Sequence, residues 1–484
     1  MIEVEKKTRS AAIIGGGVIG GAWAARFLLN GWNVRLFDPD PEAERKMSEV
    51  LGNARRSLPM LYDRALPPEG ALTHVATIAE AVADAAWVQE SVPERLEIKH
   101  KAIAEIQDAI DPEAVIGSST SGFKPSELQE GSTDPGQILV THPFNPVYLL
   151  PLVEVVPSPA TDPRATAWAR WVLGSIGMHP LVVRQEIDAH IADRFLEAVW
   201  REALWLIKDG VATTEEIDDA IRYGFGLRWA QMGLFETYRV AGGEAGMRHF
   251  IGQFGPALKW PWTKLMDVPE LTDDLVDAIA DQSDAQSGHL SIRELERLRD
   301  ENLVSILRAL KGRGSAAGAL IANHESTLPK EASPDAELLP SIDRTVPIDW
   351  TDYNGHMNES RFGQVFSDAA DYVMVHVGAD ADYIARGLSY FTVDIRIRFL
   401  AEAKAGQRIT VKSQVLQGEG KKLRLFHRIL DADGAEMATG EQMLIHVSLE
   451  PRRACDPAPE VLAKVEALAS AHAALPRPSD KELM

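Results

Sequence analysis

Cysteine is nearly missing from this chain. Cys455 is the only one in 484 residues, which excludes an intrachain disulfide and a Cys-built zinc site and gives no sign of an oxidising compartment. Thirteen histidines are present, but none stands in HExxH or a comparable ligand spacing, so no metal site is expected. Long apolar runs are missing too: nothing approaches about 18 consecutive apolar residues, so no membrane span is expected. Basic charge is in deficit. Against 71 Asp and Glu there are 50 Lys and Arg, a net charge of −21, which argues against a sequence-independent grip on nucleic acid or anionic membrane. The N-terminus imitates a secretory signal, with Lys6, Lys7 and Arg9 ahead of the apolar run Ala11–Ala25. Glu3, Glu5 and the dense glycines within that run speak against it. A soluble, cytoplasmic protein is the expectation.

What is present is ordinary globular composition, 45% hydrophobic and 25% charged, and a length suited to about three domains. Short apolar runs at Ala11–Ile14, Asn33–Phe37, Ala86–Gln89, Val115–Ser118, Ile138–His142 and Leu152–Val156 alternate with helical patterns such as Ala22–Leu29 and Glu94–Ala109. Strand, helix, strand at this spacing predicts a parallel sheet with crossover helices, an α/β Rossmann domain over residues 1–188. After Pro180 the pattern turns helical, with Ile191–Lys208, Thr214–Tyr223, Thr272–Asp281 and Ile292–Leu310, and predicts an all-α domain over 189–325. The proline-rich, polar segment 326–340 reads as a linker. Beyond it a helical pattern, Arg361–Val377, precedes β-like runs at Arg396–Phe399, Arg408–Leu416, Leu423–Leu430 and Gln442–Leu449, the pattern of an α+β domain with an antiparallel sheet over 341–450. The Ala- and Pro-rich tail, 451–484, is expected to be only partly ordered.

The strongest single motif is Gly15-x-Gly17-x-x-Gly20, after a predicted strand and at the start of a helix. The first glycine permits the turn, the second lets backbone approach a pyrophosphate, and the third allows close helix–strand packing. Val18 and Ile19 open the helix whose free N–H groups would meet the phosphates. Asp38, 18 residues beyond Gly20, ends the second strand, where a carboxylate accepts hydrogen bonds from a ribose and repels a 2′-phosphate. NAD is therefore the expected cofactor. A second constellation begins at His142, in Thr141-His142-Pro143-Phe144-Asn145-Pro146, with Glu154 12 residues on and Ser118-Ser119-Thr120-Ser121 upstream. Oxidation of an alcohol needs a base for the hydroxyl proton, and a carboxylate beside a histidine holds its tautomer and stabilises the imidazolium.

Together with Val92-Pro93-Glu94-Arg95-Leu96 and Leu152-Val153-Glu154-Val155, these motifs make residues 11 to about 320 resemble the 3-hydroxyacyl-CoA dehydrogenase superfamily. The resemblance implies His142 as base, Glu154 as its partner, Ser121 as a hydroxyl-binding group, and Glu94 and Lys99 near the nicotinamide. It also implies a homodimer formed through the helical domain. One position departs from the family pattern: Asp193 precedes Arg194 where an Asn is usual. A carboxylate there suits a thioester oxygen poorly and tolerates a cationic substrate. The segment from Phe254 to Trp262, with Trp229 and Tyr238 upstream, is aromatic-rich, and aromatic faces attract quaternary ammonium groups. Combined with the Asp193 departure, this makes the sequence resemble the L-carnitine dehydrogenase branch, which implies L-carnitine as a substrate and Phe144, Phe254 and Asp193 as substrate-binding residues.

A third constellation, Asp352-Tyr353-Asn354-Gly355-His356, stands directly before the predicted helix Arg361–Val377. It resembles the signature of hot-dog thioesterases of the 4-hydroxybenzoyl-CoA type. The resemblance implies Asp352 as base or nucleophile, the backbone at Gly355 and His356 facing a thioester carbonyl, and an acyl-CoA as second substrate. By analogy with dehydrogenase–thioesterase fusions, that substrate is betainyl-CoA. Two alternatives stay open: a 3-hydroxyacyl-CoA dehydrogenase with a general thioesterase, and a C-terminal domain that is not catalytic. Gly117-Ser118-Ser119 lacks the second glycine of a nucleophile elbow, so a serine hydrolase is rejected.

Overall fold

The computed structural model describes residues 9–241, 244, 246–254, 263, 270–328 and 337–479. The chain forms two units. One comprises residues 1–55 and 68–324; the other comprises 56–67 and 325–484.

The first unit is built on an eight-stranded sheet. In chain order its strands are β1 (Ser10–Ile14), β2 (Asn33–Phe37), β3 (Leu72–His74), β4 (Trp87–Glu90), β5 (Val115–Ser118), β6 (Ile138–Pro143), β7 (Leu152–Val156) and β8 (His179–Val182), arranged β3-β2-β1-β4-β5-β6-β7-β8. The central strands are buried on both faces, which is why they read as continuous apolar runs. The helix Val18–Leu29 is buried from Gly20 to Leu29. Within it Arg26 donates to the carbonyls of Ile176, Tyr148 and Gly177 at 2.7, 2.9 and 2.6 Å.

The sheet departs from the all-parallel expectation in one place. β6 and β7 pair antiparallel, with His142 opposite Glu154. Residues 144–151 join them, fewer than the dozen or so residues a parallel crossover requires. The outer strands β3 and β8 lack sequence signatures because each is short and partly exposed. After β8 the chain is helical, through Ala192–Lys208, Thr214–Ala220, Gly226–Ala241, Gly246–Phe254, Asp273–Ser287, Ile292–Gly312 and Ala316–Thr327.

The second unit is an antiparallel sheet laid against a long helix. Its strands are β9 (Leu339–Thr345), β10 (Leu388–Phe399), β11 (Arg408–Glu419), β12 (Lys422–Leu430), β13 (Glu436–Leu449) and β14 (Arg452–Ala454). They run β10-β13-β12-β11-β9, with β14 on β13. The helix Glu359–His376 buries Phe362, Val365, Phe366 and Ala369 against Ile409, Val411 and Ile429. Beyond β14 the tail is more ordered than its composition suggests. The helix Pro459–His472 seats Val461, Val465 and Leu468 against Val415, Leu423 and Leu425. Its apolar stripe is spaced by four and three residues, one face of a helix, and is masked in the sequence by the alanines around it. Part of the predicted linker, residues 329–336, lies outside the described residues, and β9 already begins at Leu339. The segment Leu58–Leu61 belongs to this unit, with Leu58, Met60, Leu61 and Tyr62 all buried.

Candidate functional site

The ends of β1 and β2 form a cradle. Gly15 has φ +99°, a conformation glycine adopts without penalty. A Cβ on Gly20 would lie 1.8 Å from the Gly15 carbonyl oxygen, so only glycine lets the helix start this close to the strand. Gly17 caps that helix without a side-chain hydrogen bond, Val18 is exposed and Ile19 half-buried. A glycine-lined helix N-terminus of this kind fits a pyrophosphate. Asp38 accepts hydrogen bonds from the N–H groups of Gly16 and Asp40 at 2.5 and 2.8 Å. These fix the carboxylate at the mouth of the cradle and leave lone pairs for ribose hydroxyls. The residues present therefore fit NAD.

Next to the cradle, the ends of β4 and β5 hold a buried polar network. Lys99 is buried and pairs with Glu90 at 2.9 Å and Glu94 at 3.2 Å. Glu90 also accepts from the Ser118 hydroxyl and the Val92 N–H. Glu94 accepts from the Thr120 hydroxyl and from the N–H groups of Ser121 and Gly122, at 3.2 and 3.1 Å for the latter two. Burial alone would raise the Glu94 pKa, but the Thr120 hydroxyl and Lys99 outweigh it and hold the carboxyl below its ordinary value. Lys99 thus sits beneath Glu94 and supports it. Ser121 is exposed at the turn that Glu94 organises.

His142 lies at the end of β6. Its Nδ1 is 3.0 Å from Glu154 Oε2. Glu154 Oε1 accepts from the N–H groups of Ile191 and Ala192 at 2.9 and 3.0 Å, so the carboxylate joins the imidazole to the first turn of the helix Ala192–Lys208. Burial works to raise the Glu154 pKa. The imidazole and the two N–H groups prevail, and the carboxyl is held below its ordinary value. A carboxylate can only accept, so His142 Nδ1 carries the proton and Nε2 presents a lone pair. Asp193 Oδ2 is 3.6 Å from that Nε2, and burial raises the Asp193 carboxyl above its usual value. Phe144 meets the His142 ring edge-on at 5.0 Å. The structure thus gathers His142, Glu154, Asp193 and Phe144 in one place. Phe254 ends the helix Gly246–Phe254, and residues 255–262 lie outside the described residues. Trp229 pairs with Phe225 and Tyr238 stacks on Phe250, at 4.7 and 4.6 Å.

Sequence reasoning missed Glu90, Thr120 and His190. Glu90 had a signal, an acidic residue closing an apolar strand beside the glycine loop, where parallel-sheet sites gather. Thr120 lay within the serine-rich strand end. His190 had none, since its partner Thr120 is 70 residues away.

In the second unit, Asp352 opens a tight turn. Its Oδ1 accepts from the Asn354 N–H at 2.8 Å and its carbonyl from the Gly355 N–H at 2.9 Å. Gly355 has φ +78°, and its N–H closes the turn. His356 Nε2 is 3.2 Å from Glu402. Asn358, not Asp352, caps the helix Glu359–His376, through the Ser360 N–H at 3.0 Å. On β12, Arg424 pairs with Glu441 and Arg428 with Glu436.

Three family models match the chain. They are the NAD-binding domain of 3-hydroxyacyl-CoA dehydrogenase over residues 10–187, the C-terminal domain of the same family over 190–279, and the thioesterase-like superfamily over 346–465. An L-carnitine dehydrogenase/betainyl-CoA thioesterase of Ruegeria pomeroyi is 63% identical over 475 residues, covering 97% of each chain. An L-carnitine dehydrogenase of Mesorhizobium japonicum is 61% identical over 328 residues, 67% of this chain and 90% of that one. Among solved structures, an NAD-dependent 5-formyl-3-hydroxy-2-methylpyridine 4-carboxylic acid 5-dehydrogenase is similar with a TM-score of 0.53 and 27% identity, covering 63% of this chain and 99% of that one.

Proposed function

The chain belongs to the 3-hydroxyacyl-CoA dehydrogenase family and carries a thioesterase-like domain, and from that premise we propose a bifunctional enzyme. Its first unit oxidises the 3-hydroxyl of L-carnitine with NAD, giving 3-dehydrocarnitine. Its second hydrolyses an acyl-CoA thioester, betainyl-CoA to glycine betaine. The observation that carries the first activity is the His142–Glu154 pair with Asp193 3.6 Å from the imidazole.

His142 Nε2 takes the hydroxyl proton. Glu154 holds the tautomer that makes Nε2 the acceptor and stabilises the imidazolium that results. NAD, held by the Gly15–Gly20 cradle and Asp38, would supply the hydride acceptor for the carbinol carbon. Ser121 hydrogen-bonds the substrate oxygen, and Glu94 orders the turn that presents it. In carnitine the quaternary nitrogen is two bonds from the carbinol carbon. A hydroxyl seated on His142 Nε2 therefore brings the cation within a few ångströms of Asp193, close enough for a direct attraction in a half-buried site. Phe144 supplies an apolar wall for the methyl groups. In the second unit Asp352 acts on the thioester as base or nucleophile, from a turn that Gly355 makes possible.

The helical part of the first unit exposes Phe195, Leu196 and Trp200 on one helix, with Trp200 61% accessible. We assign this face to a second copy of the chain, since patches of this kind on a soluble protein mark interfaces. Among the described residues no helix is long and apolar enough to cross a membrane, and the reading places the enzyme in the cytoplasm.

The test of the first activity is NADH formation by the purified enzyme with NAD and either L-carnitine or L-3-hydroxybutyryl-CoA. Turnover with carnitine alone is expected. Turnover with the CoA ester alone would overturn the cationic-substrate reading. For the second activity, release of CoA from betainyl-CoA should be abolished in Asp352→Ala, and unchanged release would show that Asp352 is not the acting group.

A further inference from the structure

One histidine beside the reaction centre has no part in the mechanism above. His190 is fully buried, and its ring centroid is 5.5 Å from that of His142. It follows β8 and precedes the helix Ala192–Lys208, in a turn where Ala189 and His190 both take left-handed backbone angles, φ +57° and +49°. Two successive non-glycine residues in that region are uncommon and strained, and such strain persists where the surroundings impose it, often at functional sites. The turn directs the imidazole toward the segment that follows β5, where Nε2 lies 3.3 Å from the Thr120 carbonyl oxygen. A carbonyl only accepts, so Nε2 carries the proton. Nδ1 is buried with no hydrogen-bond partner among the described residues. Burial lowers the ring's pKa, consistent with a neutral imidazole that donates at one end only. A side chain serving only to fill space would be apolar and would leave no buried nitrogen unpaired.

Thr120 is the residue before Ser121. Its hydroxyl, with the N–H groups of Ser121 and Gly122, is held by Glu94 from one side; its carbonyl is held by His190 from the other. We propose that His190 is a positioning residue for the dehydrogenase reaction. By tying the Thr120 carbonyl to the turn that leads into the Asp193 helix, it fixes Ser121 relative to His142. The inference rests on the reading above in which Ser121 binds the substrate oxygen.

The test compares His190→Phe, His190→Gln and His190→Asn with Ser121→Ala and the double variant Ser121→Ala/His190→Phe. Full-length enzyme is assayed with NAD and L-carnitine, and thermal unfolding is followed for each. Phenylalanine keeps the volume and loses the donor. Glutamine places an N–H near the Nε2 position, whereas asparagine places one nearer Nδ1. In His190→Phe, kcat should fall about tenfold, the effect of losing one well-placed hydrogen bond, while the KM for NAD holds. His190→Gln should recover most of that loss and exceed His190→Asn. A packing role gives the reverse order, with Phe above Gln, and would overturn the proposal. Should His190→Phe fail to fold, the order of Gln over Asn still decides. In the double variant the Phe substitution should add little to Ser121→Ala. Full additivity, with Ser121→Ala itself impaired, would sink the role of His190 and leave the reading of Ser121 intact. A Ser121→Ala enzyme with unchanged kinetics would overturn that reading, and with it the route proposed for His190.

Discussion

In the proposed reading, Asp193 sets the alcohol site apart from one built for a thioester. Its carboxylate is half-buried, 3.6 Å from the imidazole of His142, the base we propose. In Asp193→Asn the size is kept and the charge removed, so the KM for L-carnitine should rise at least about tenfold, the equivalent of roughly 1.4 kcal/mol. Initial rates across a carnitine series measure it, and an unchanged KM would remove the residue from substrate binding. Burial raises the Asp193 pKa, and the anion is the form that attracts the cation. Affinity should therefore be full at high pH and lost as pH falls through a value above the ordinary aspartate range. The Asn variant should lack that acid-side loss. Glu154 behaves in the opposite sense. Its folded pKa is lowered, with the hydrogen bonds from His142 and the helix N–H groups overcoming burial. Its contribution to stability is complete above the unfolded carboxyl value and disappears as pH falls through the lower folded one. In Glu154→Gln the amide can donate as well as accept and no longer fixes the tautomer, so kcat should drop by about 10²-fold or more. NADH formation under saturating substrate reads this directly, and a retained rate would deny Glu154 its orienting role.

Elements bring these residues together, and here the sequence was legible unevenly. The glycine loop, Asp38 and the His142 segment were readable because each is local: a turn, a strand end, a helix start. The pairing of His142 with Glu154 was readable only as nearness in sequence. What places them face to face is the antiparallel register of β6 and β7, which the expectation of an all-parallel sheet did not contain. His190 and Glu90 escaped notice because their partners lie on other elements. Arg26 is a similar case. In sequence it is one cation in an apolar helix, yet in the fold its guanidinium satisfies three carbonyls at the turns around Tyr148 and Gly177. Removing the donors leaves those buried acceptors unpaired at roughly 1–3 kcal/mol each. Arg26→Met should therefore lower stability by about 3 kcal/mol or more, measured by denaturant unfolding of the first-unit transition. A loss under about 1 kcal/mol would mean that the carbonyls find other partners.

At the scale of the whole molecule, the sequence divides into consecutive stretches of chain, with a linker at 326–340 before the last domain. Contacts divide the molecule otherwise, because residues 56–67 belong to the second unit. In that unit Leu58, Met60, Leu61 and Tyr62 are buried, and Glu325 accepts hydrogen bonds from the N–H groups of Asp63 and Arg64. A fragment beginning in the linker therefore lacks a buried segment of its own unit. Each missing buried side chain removes roughly 1.5–3 kcal/mol of apolar burial, a large share of the stability of a small domain. The fragment 329–484 should keep Asp352 and its turn and hydrolyse betainyl-CoA, but melt well below the thioesterase transition of the intact chain. Supplying a peptide of residues 56–67 should raise its melting temperature, by a roughly constant step for each tenfold rise in peptide above its Kd. The complementary fragment, 1–328, should oxidise carnitine while leaving the Leu58–Tyr62 face uncovered and prone to association. Equal melting temperatures for the fragment and the intact chain, with no response to the peptide, would show that residues 56–67 contribute nothing to the thioesterase unit. The two activities would then be separable at the linker.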